Sequence, residues 1–517
     1  MSGSLAELTR KVADLTARVA ELEQENAALH QLIAAYKQAI YGQSSERVDP
    51  KQADLDLGDI DANAPLPTPA NDDDGGQDED KPKAPRRGGQ ARRNRGALPR
   101  HLPRKHIHLA PETDSCPCCA GTLHKIGEDV RELLDVVPAL YRVLCIHRAR
   151  YGCRTCSSAV VQAPAPEQPV EGGYATCTLI AQIAVGKWAW HLPLYRQAKM
   201  LAGEGILIDR STLANWMARA AWWLRPLHAC LLKAVLAQQR VYCDDTPLPV
   251  LAPGKGRTKT GRFWAYAIDD RSWSGPAPPA VAYLYAEDRK ARHMAEHLKS
   301  FTGILQVDGY QGYGQLAGRE VLPITLAYCL AHARRKFHKV HLTTGSPIAA
   351  EALRRIAEIY AIEARVRGTT AAERLAVRQA ESAPRMADLQ AWLMARLGEV
   401  SQQSGLSKAI RYTLGHWDGL CAFLTDGRIE VDSNMVEQQM RPVALGRRNS
   451  LFAGSEGGAE TWAILASLIQ TAKLNDLDPL TYLADVLQRI VDGSVPVNRL
   501  EELLPWNWTA SEMAQAA

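Results

Sequence analysis

The chain has 517 residues, 46% of them hydrophobic, and a formal net charge of +4 at neutral pH. This length suggests roughly three or four domains. The sequence shows neither a secretory signal pattern nor an apolar run of roughly 18 residues, so we exclude a membrane protein and expect a cytoplasmic location. The eleven cysteines are an odd number scattered along the chain, which argues against a disulfide framework and indicates reduced thiols with a metal site.

The first predicted element is a coiled coil. Residues 4–40 repeat apolar side chains every seven positions, and Asn26 is the single polar residue at the a positions. β-Branched residues at position a with Leu at position d favour a parallel two-stranded coil, and a lone Asn at a fixes the register. We therefore expect residues 1–47 to be a dimerisation helix and the protein to form a homodimer or higher oligomer. An amphipathic helix folded back on its own domain is the less favoured alternative.

Residues 48–110 are predicted to be a disordered linker with segregated charge. Residues 49–80 contain eleven acids and a single lysine, whereas residues 81–111 contain ten Lys and Arg and no acid. Few aromatic and many Pro, Gly and Asn residues leave too little apolar surface to offset the chain entropy. The basic part is either a solubilising segment or, as we favour, a flexible arm that binds DNA phosphates by releasing counterions.

Two C-x2-C knuckles predict a zinc-binding module at residues 111–165. Thirty-three residues separate the knuckles, and their strand-like alternation indicates a zinc-ribbon-like fold. Two such pairs supply the four thiolates of a tetrahedral structural Zn²⁺ site, whereas a redox role would not require both pairs. Cys118 breaks the two-residue spacing and is interpreted as a spare thiol. The predicted zinc ligands are Cys116, Cys119, Cys153 and Cys156.

Residues 166–235 are predicted to be a helical DNA-binding domain. The run "GEGILIDRSTLANWMARAAWWL" has the pattern of a helix, a Gly-containing turn and a new helix beginning near Ser211 or Thr212. This pattern fits a helix-turn-helix, in which the first turns of the second helix reach bases or phosphates. Two packed helices without a DNA role are an equally common source of it, but the neighbouring basic arm favours DNA. The candidate DNA-binding residues are Arg210, Ser211, Thr212 and Asn215.

The rest of the chain indicates an α/β (α+β) multidomain fold. Strand-like runs, "RVYCDDTPLPVL", "GRFWAYAID", "AVAYLYAED" and "GILQVDGYQGY", are followed by a long helical region. We expect a core in two parts separated by a helical insertion, and then a C-terminal helical segment. The ranges are 236–345 for the first part of the core, 346–427 for the insertion, 428–475 for the last part of the core and 476–517 for the C-terminal segment.

Three acids predict a magnesium site within this core. Asp244 and Asp308 interrupt apolar strands, where a buried carboxylate needs a partner or a metal, and Glu437 begins a later helix. Enzymes of phosphoryl transfer use such clusters, because hard oxygen ligands hold Mg²⁺ at the reacting oxygens. Each Asp alone could simply begin a turn, and a carboxylate pair for glycoside hydrolysis is the competing use. Glu437 could also form a capping box with Asn434 as N-cap.

Several motifs resemble one family of enzymes. "YCDDTPLPVL", "VDGYQGYGQL", "CLAHARRKF" and "DSNMVEQQMRPVALGRRNSLFAGSEGGAETWA" are similar to the insertion-sequence-66 family of bacterial DDE transposases, and "IYGQSSER", "HLPLYRQ" and "LNDLDPLTYL" extend the resemblance to nearly the whole chain. The resemblance implies a ribonuclease-H-like core with Asp244, Asp308 and Glu437 as the catalytic triad. In the family the first motif usually reads Asp-Glu-Thr, so the resemblance makes Asp244 the ligand and Asp245 its neighbour. The Arg that usually follows the third acid is replaced here by Gln438.

The resemblance also implies the reaction. Two Mg²⁺ or Mn²⁺ ions at the triad activate water to cut the ends of a mobile element, and each new 3′-hydroxyl then attacks target DNA. The implied partners are the terminal inverted repeats, target DNA and small accessory proteins of the element. A non-catalytic zinc-containing DNA-binding regulator and a standalone ribonuclease-H-like nuclease remain as alternatives.

Two basic groups near the acids are predicted to contact phosphates. Cys329 and His332 form a C-x2-H pair without a visible partner pair, so we assign Cys329 to packing and His332 to the DNA-binding set. The predicted residues are His332, Arg334, Arg335 and Lys336 after the second acid, and Arg441, Arg447 and Arg448 after the third.

Overall fold

The computed structural model describes residues 141–152, 160–162, 164–252, 254–317 and 323–510. The predicted coiled coil, the charged linker and all four predicted zinc ligands lie outside these residues. The chain divides near residue 165 into two compact units, which are described separately.

The described part of the smaller unit contains a two-stranded antiparallel ribbon. Strand β1 (Arg150–Gly152) pairs with β2 (Val160–Gln162). The strands flank the segment that carries the second C-x2-C knuckle. Residues 141–149, expected to alternate as a strand, are irregular and exposed. Between residues 141 and 152, strand structure is therefore shorter than the sequence pattern suggested.

The larger unit begins with three helices. They are α1 (Cys177–Trp188), α2 (Leu194–Gly203) and α3 (Arg210–Leu236). Gly205, with a φ of 76°, supplies the left-handed residue in the turn before α3. The predicted second helix therefore exists and begins at Arg210. It continues for 27 residues, past Pro226, well beyond a helix-turn-helix.

A five-stranded mixed sheet forms the centre of the larger unit. Its order is β5-β4-β3-β6-β7, with β3–β4 and β4–β5 antiparallel and β3–β6 and β6–β7 parallel. The four predicted strand runs are confirmed, and β7 is an additional strand. The strands are β3 (Arg240–Ala252), β4 (Arg257–Ile268), β5 (Ala280–Ala286), β6 (Gly303–Val307) and β7 (Ile324–Tyr328). Short helices α4 (Ala291–His297) and α5 (Gly314–Ala317) lie in the connections.

Helices fill the region between β7 and the last part of the core and build a second hydrophobic cluster. Phe337, Ile356, Leu389 and Ile410 are fully buried in this cluster. Because α6 also contributes to this cluster, the cluster begins before residue 346, where we expected the helical insertion to start. The helices are α6 (Leu330–Thr344), α7 (Pro347–Val366), α8 (Ala371–Val377), α9 (Ala383–Leu397), α10 (Gly405–Gly415) and α11 (Trp417–Leu420), with a π-helical segment at Arg378–Ser382.

The last helices return to the sheet. They are α12 (Asn434–Ser450), α13 (Glu456–Leu474) and α14 (Pro479–Val491). Ser467 and Thr471 of α13 accept hydrogen bonds from the backbone N–H groups of Tyr283 and Val281, which satisfies the outer edge of β5.

One hydrophobic core extends from Val170 to Leu504 and includes residues of α1, α3, the sheet and α13. The positions 235 and 475, where we expected domains to divide, lie inside this core, because α3 and the sheet both contribute to it, as do α13 and α14. None of the helices in the described part of the chain combines the length and apolar character of a membrane span.

Candidate active site

The first two predicted acids lie at the same edge of the sheet. Strand β3 pairs in parallel with β6 through Tyr242 and Gln306, and the pairing ends there. Asp244 and Asp308 each follow their paired residue by two positions. Because the strands run in the same direction, both acids emerge at the carboxyl end of the pairing. The side chain of Asp308 is 23% exposed, so a substrate has access to this edge.

Asp244 and its neighbour Asp245 have different surroundings. The Asp245 carboxylate is fully buried and accepts hydrogen bonds from Arg262 at 3.0 Å and from Arg289 at 2.7 Å. Asp244 Oδ1 accepts the backbone N–H of Asp245 at 2.8 Å. Within the described part of the chain, Asp244 has no ion pair with a basic side chain. The Asp244 carboxylate is therefore the member of the pair that is available to a ligand.

Glu437 reaches the site from the first turn of α12. The predicted capping box is wrong, because Ser433 is the N-cap and Asn434 already belongs to the helix. Asn434 donates its backbone N–H and its side-chain amide to the Asp432 carboxylate, both at 3.1 Å. Both oxygens of the Asp432 carboxylate are therefore hydrogen-bonded within this turn. The Glu437 carboxylate faces α6.

Two backbone N–H groups connect the start of α12 with the start of α6, one through a carbonyl and one through a side-chain sulfur. The N–H of Leu330 donates to the carbonyl of Val431 at 3.0 Å, and the N–H of Ser433 lies 3.3 Å from the Cys329 sulfur. Cys329 is buried, and burial raises the pKa of its thiol to about 12, so it stays protonated. This geometry agrees with a packing role for Cys329.

The first turns of α6 place basic groups against Glu437. Arg335 donates to Glu437 Oε2 at 2.5 Å, and His332 Nδ1 lies 3.7 Å from Glu437 Oε1. Single ligand atoms of Cys329, His332 and Glu437 all lie within 4.8 Å of one another. Glu437 is therefore paired with a cation although its side chain remains 15% exposed.

The three acids interact electrostatically. Burial, together with the negative charges of Asp308 and Glu437, raises the pKa of Asp244 to about 8. A carboxylate in this position needs a proton or a metal cation to offset the repulsion. Oxygen ligands at a partly exposed edge fit Mg²⁺ or Mn²⁺. Burial also raises the pKa of Asp432 to about 7, and its bonds to Asn434 are consistent with a position outside this ligand set.

Arg289 is a residue of the site that no sequence pattern predicts. Its guanidinium stacks 3.7 Å from the ring centre of Tyr310, donates to Asp245 and lies 3.8 Å from Asp308 Oδ2. Arg289 thus links Asp308 with the buried Asp245. The run "AEDRKAR" around it resembles an ordinary charged turn, so no sequence signal marks it.

The other predicted residues on α6 and α12 occupy varied positions. Lys336 is exposed and lies 4.1 Å from the ring centre of Tyr412, whereas Arg334 is half-buried. Arg447 donates to the carbonyl of Pro247 and so supports β3. The two remaining arginines differ in exposure, since Arg441 is half-buried and Arg448 exposed.

The predicted residues on α3 form a separate surface. Arg210, Ser211 and Asn215 are exposed and Thr212 is half-buried, while the opposite face of the helix buries Trp216 in the core. These side chains are on the solvent side of α3, as contact with DNA requires.

Models of known families match four segments of the chain. Residues 172–461 match the model of the transposase IS66 family, residues 467–506 match the IS66 C-terminal element, and residues 113–157 match the zinc-finger binding domain of transposase IS66. Residues 28–107 match a model described as transposase C of IS166 homeodomain.

Three proteins of Sinorhizobium fredii are similar over most of their length. The protein y4jD is 52% identical over 488 residues, which cover 93% of this chain and 94% of y4jD. The protein y4qI is 44% identical, covering 83% of this chain and 79% of y4qI, and y4hP is 40% identical, covering 80% and 77%. The central family match covers more than half of the chain, so this protein belongs to the IS66 family of transposases.

Proposed function

We propose that the protein is a DDE transposase that cuts the ends of an insertion sequence and joins them to target DNA. The observation that supports the proposal is the position of Asp244 and Asp308 at the carboxyl ends of two paired parallel strands. Burial and the charges of Asp308 and Glu437 raise the pKa of Asp244, which is consistent with Glu437 as the third ligand. A ribonuclease-H-like core is part of the proposal, and the mixed five-stranded sheet supports it.

The three carboxylates are the proposed ligands of two Mg²⁺ or Mn²⁺ ions. When bound, such ions stabilise the attacking and leaving oxygens of an in-line displacement at phosphorus. The protein groups around the acids orient them. Arg289 holds Asp245 beside Asp308, and Arg335 holds Glu437 at the start of α12. Arg335 and Lys336 supply positive charge on the side from which a phosphate would enter. Burial lowers the pKa of His332, so it acts there as a neutral hydrogen-bonding group.

Recognition of DNA is assigned to residues other than the three acids. We place the terminal inverted repeats against the exposed residues of α3 and against the basic residues 81–111, with Arg334, Arg441, Arg447 and Arg448 as further contributors. The zinc module, with Cys116, Cys119, Cys153 and Cys156 as ligands of Zn²⁺, belongs to the same recognition apparatus. Assembly through residues 1–47 would bring two chains, and so two element ends, together.

The test is an assay of Mg²⁺-dependent cleavage and joining with duplex DNA that carries the element's terminal repeats. We expect wild-type protein to produce 3′-hydroxyl ends and joined products, and Glu437→Gln to bind the same DNA but yield neither. Glu460→Gln is the matched control, because Glu460 is an exposed helical glutamate paired with Arg225.

Each outcome of this assay distinguishes the proposal from its alternatives. Normal joining by Glu437→Gln would contradict the assigned triad. Cleavage by wild-type protein without joining would favour a nuclease, and binding without either reaction would favour a DNA-binding regulator.

A further inference from the structure

The turn between α12 and α13 exposes two large apolar side chains. Leu451 is 68% exposed and Phe452 is 42% exposed. The backbone of Leu451 has a φ of 48° and a ψ of −47°, outside the regions that a branched residue normally adopts. Strain of this kind persists only where the surroundings impose it, and it is concentrated at functional positions.

Hydrogen bonds hold both flanks of the turn. The N–H of Leu451 donates to the carbonyl of Arg447 at 2.7 Å. On the other side, the N–H of Ala453 donates to the carbonyl of Pro249 at 2.9 Å, and its carbonyl accepts the N–H of Leu251 at 2.8 Å. The two apolar side chains therefore project from a fixed support on the edge of β3.

Basic side chains lie near this turn, together with the acidic Glu456. Ala453 lies beside Val250, and Val250 is paired with Lys259 on the neighbouring strand. Because strands are about 4.8 Å apart, the β3–β4 hairpin is within roughly 10 Å of the turn. Exposed basic side chains there are Lys255 and Arg257 of the hairpin and Arg448 of α12, beside the ion pair of Lys259 with Glu456. Apolar side chains beside exposed cations match a polyanion with an apolar interior.

The distance from the acids to this turn follows from the lengths of β3 and α12. From Asp244 to Val250 the extended strand covers six residues, or about 20 Å. From Glu437 to Leu451 the helix covers fourteen residues, or about 21 Å. The lengths along the strand and along the helix therefore agree at about 20 Å. This distance corresponds to about six base pairs of duplex at roughly 3.4 Å each.

We propose that Leu451 and Phe452 form an apolar wedge that inserts between base pairs of double-stranded DNA, about six base pairs from the phosphate at the acids. This inference rests on the proposed function for the position of the DNA. Apolar side chains used in this way unstack a base step and kink the duplex, while neighbouring cations hold the phosphates. A support that is already fixed loses little freedom when the wedge enters.

The experiment places 2-aminopurine, whose fluorescence rises when it is unstacked, at successive positions of the terminal-repeat duplex. Full-length protein is added without divalent metal, so that binding occurs without cleavage. We expect wild-type protein to raise the fluorescence at one step, and Leu451→Gly with Phe452→Ser to abolish the rise. Glycine suits the positive φ at 451. Leu342→Ser is the control, because Leu342 is 64% exposed on α6, and it should behave as wild type.

A second measurement uses DNA in which that step is already mismatched. On intact duplex the double variant should join ends at least about 10-fold more slowly than wild type, and on mismatched duplex it should recover to within about twofold. Equal fluorescence for wild type and double variant, or equal joining on intact duplex, would overturn the wedge. If wild type unstacks the step but never cuts in Mg²⁺, the wedge stands and the proposed catalytic function falls.

Discussion

Asp244 and Asp245 show how adjacent identical residues acquire different chemistry. Both are carboxylates on the same strand, yet Asp245 is neutralised by Arg262 and Arg289 whereas Asp244 faces the other acids. Neither arginine is adjacent to them in sequence, since Arg262 lies on β4 and Arg289 follows β5. Position in the sheet therefore distinguishes a buried structural acid from a candidate metal ligand.

The raised pKa of Asp244 predicts how metal-free protein responds to pH. The pKa of Asp244 is about 8 in the folded protein, whereas an Asp in the unfolded chain has a pKa of about 4. The folded protein therefore binds this proton more tightly than the unfolded chain does. Stability should therefore fall as pH rises from about 4 to 8, and Asp244→Asn should stabilise the protein at pH 8.5 by roughly 1–3 kcal/mol. Thermal unfolding in EDTA at pH 5.5 and 8.5 measures this effect.

The control for this prediction is Asp388→Asn, since Asp388 is 74% exposed and forms a surface ion pair with Arg355. Its unfolding temperature should follow that of wild type at both pH values. If Asp244→Asn also follows wild type, the burial and the repulsion that raise the pKa of Asp244 are not expressed in stability.

A buried ionic network joins the helical insertion to the segment that leads into α12. Arg378 donates twice to Glu363 of α7, at 2.8 and 2.6 Å. Arg374 of α8 donates to Glu430 at 2.7 Å, and the backbone of Glu430 exchanges hydrogen bonds with the side chain of Gln306 on β6. These contacts connect the insertion, through residue 430, with the strand that precedes Asp308.

Removal of one partner from this network should be strongly destabilising. Arg378→Met leaves Glu363 buried with one weak contact to Arg374 at 3.5 Å, and loss of a buried partner typically costs about 3–5 kcal/mol. Urea unfolding of the full-length protein measures the loss. Arg354→Met is the control, because Arg354 pairs with Glu351 and Glu358 on an exposed helix face, and its midpoint should match wild type. Equal midpoints for both variants would show that the network contributes no stability.

Taken whole, the chain combines one large folded unit with a predicted zinc module and a charged linker. The family matches cover each of these parts. The short ribbon of β1 and β2 flanks the second cysteine knuckle and is consistent with the predicted zinc-ribbon-like fold.

The spacing of the cysteines predicts one zinc ion per chain. Cys156→Ser should lose the metal, because a tetrahedral site needs all four thiolates. Cys118→Ser is the matched control and should retain it, since Cys118 was assigned as the spare thiol of the first knuckle. Metal content of purified full-length protein after dialysis gives the measurement. Loss of zinc from Cys118→Ser with retention in Cys156→Ser would reverse the assignment.

Much of the fold was predictable because it depends on local patterns. Runs of β-branched and aromatic residues identified four of the five strands, and helical periodicity identified the insertion. The strand β7 was missed because "ITLAY" is short and leads directly into α6. The capping box at Asn434 was wrong because Asp432, two residues earlier, accepts the hydrogen bonds that begin the turn.

The linear pattern of residues was sufficient to indicate the family, the strands that carry Asp244 and Asp308, and the helix that carries Glu437. Convergence of these acids, the neutralisation of Asp245, and the position of Arg289 depend on contacts between residues far apart in the chain. Hydrophobic periodicity specifies which face of an element is buried, but not which charged group from another element lies against it. Strand order and helix packing determine which charged groups become neighbours. The strength of their interaction depends on the distances between them in the folded molecule.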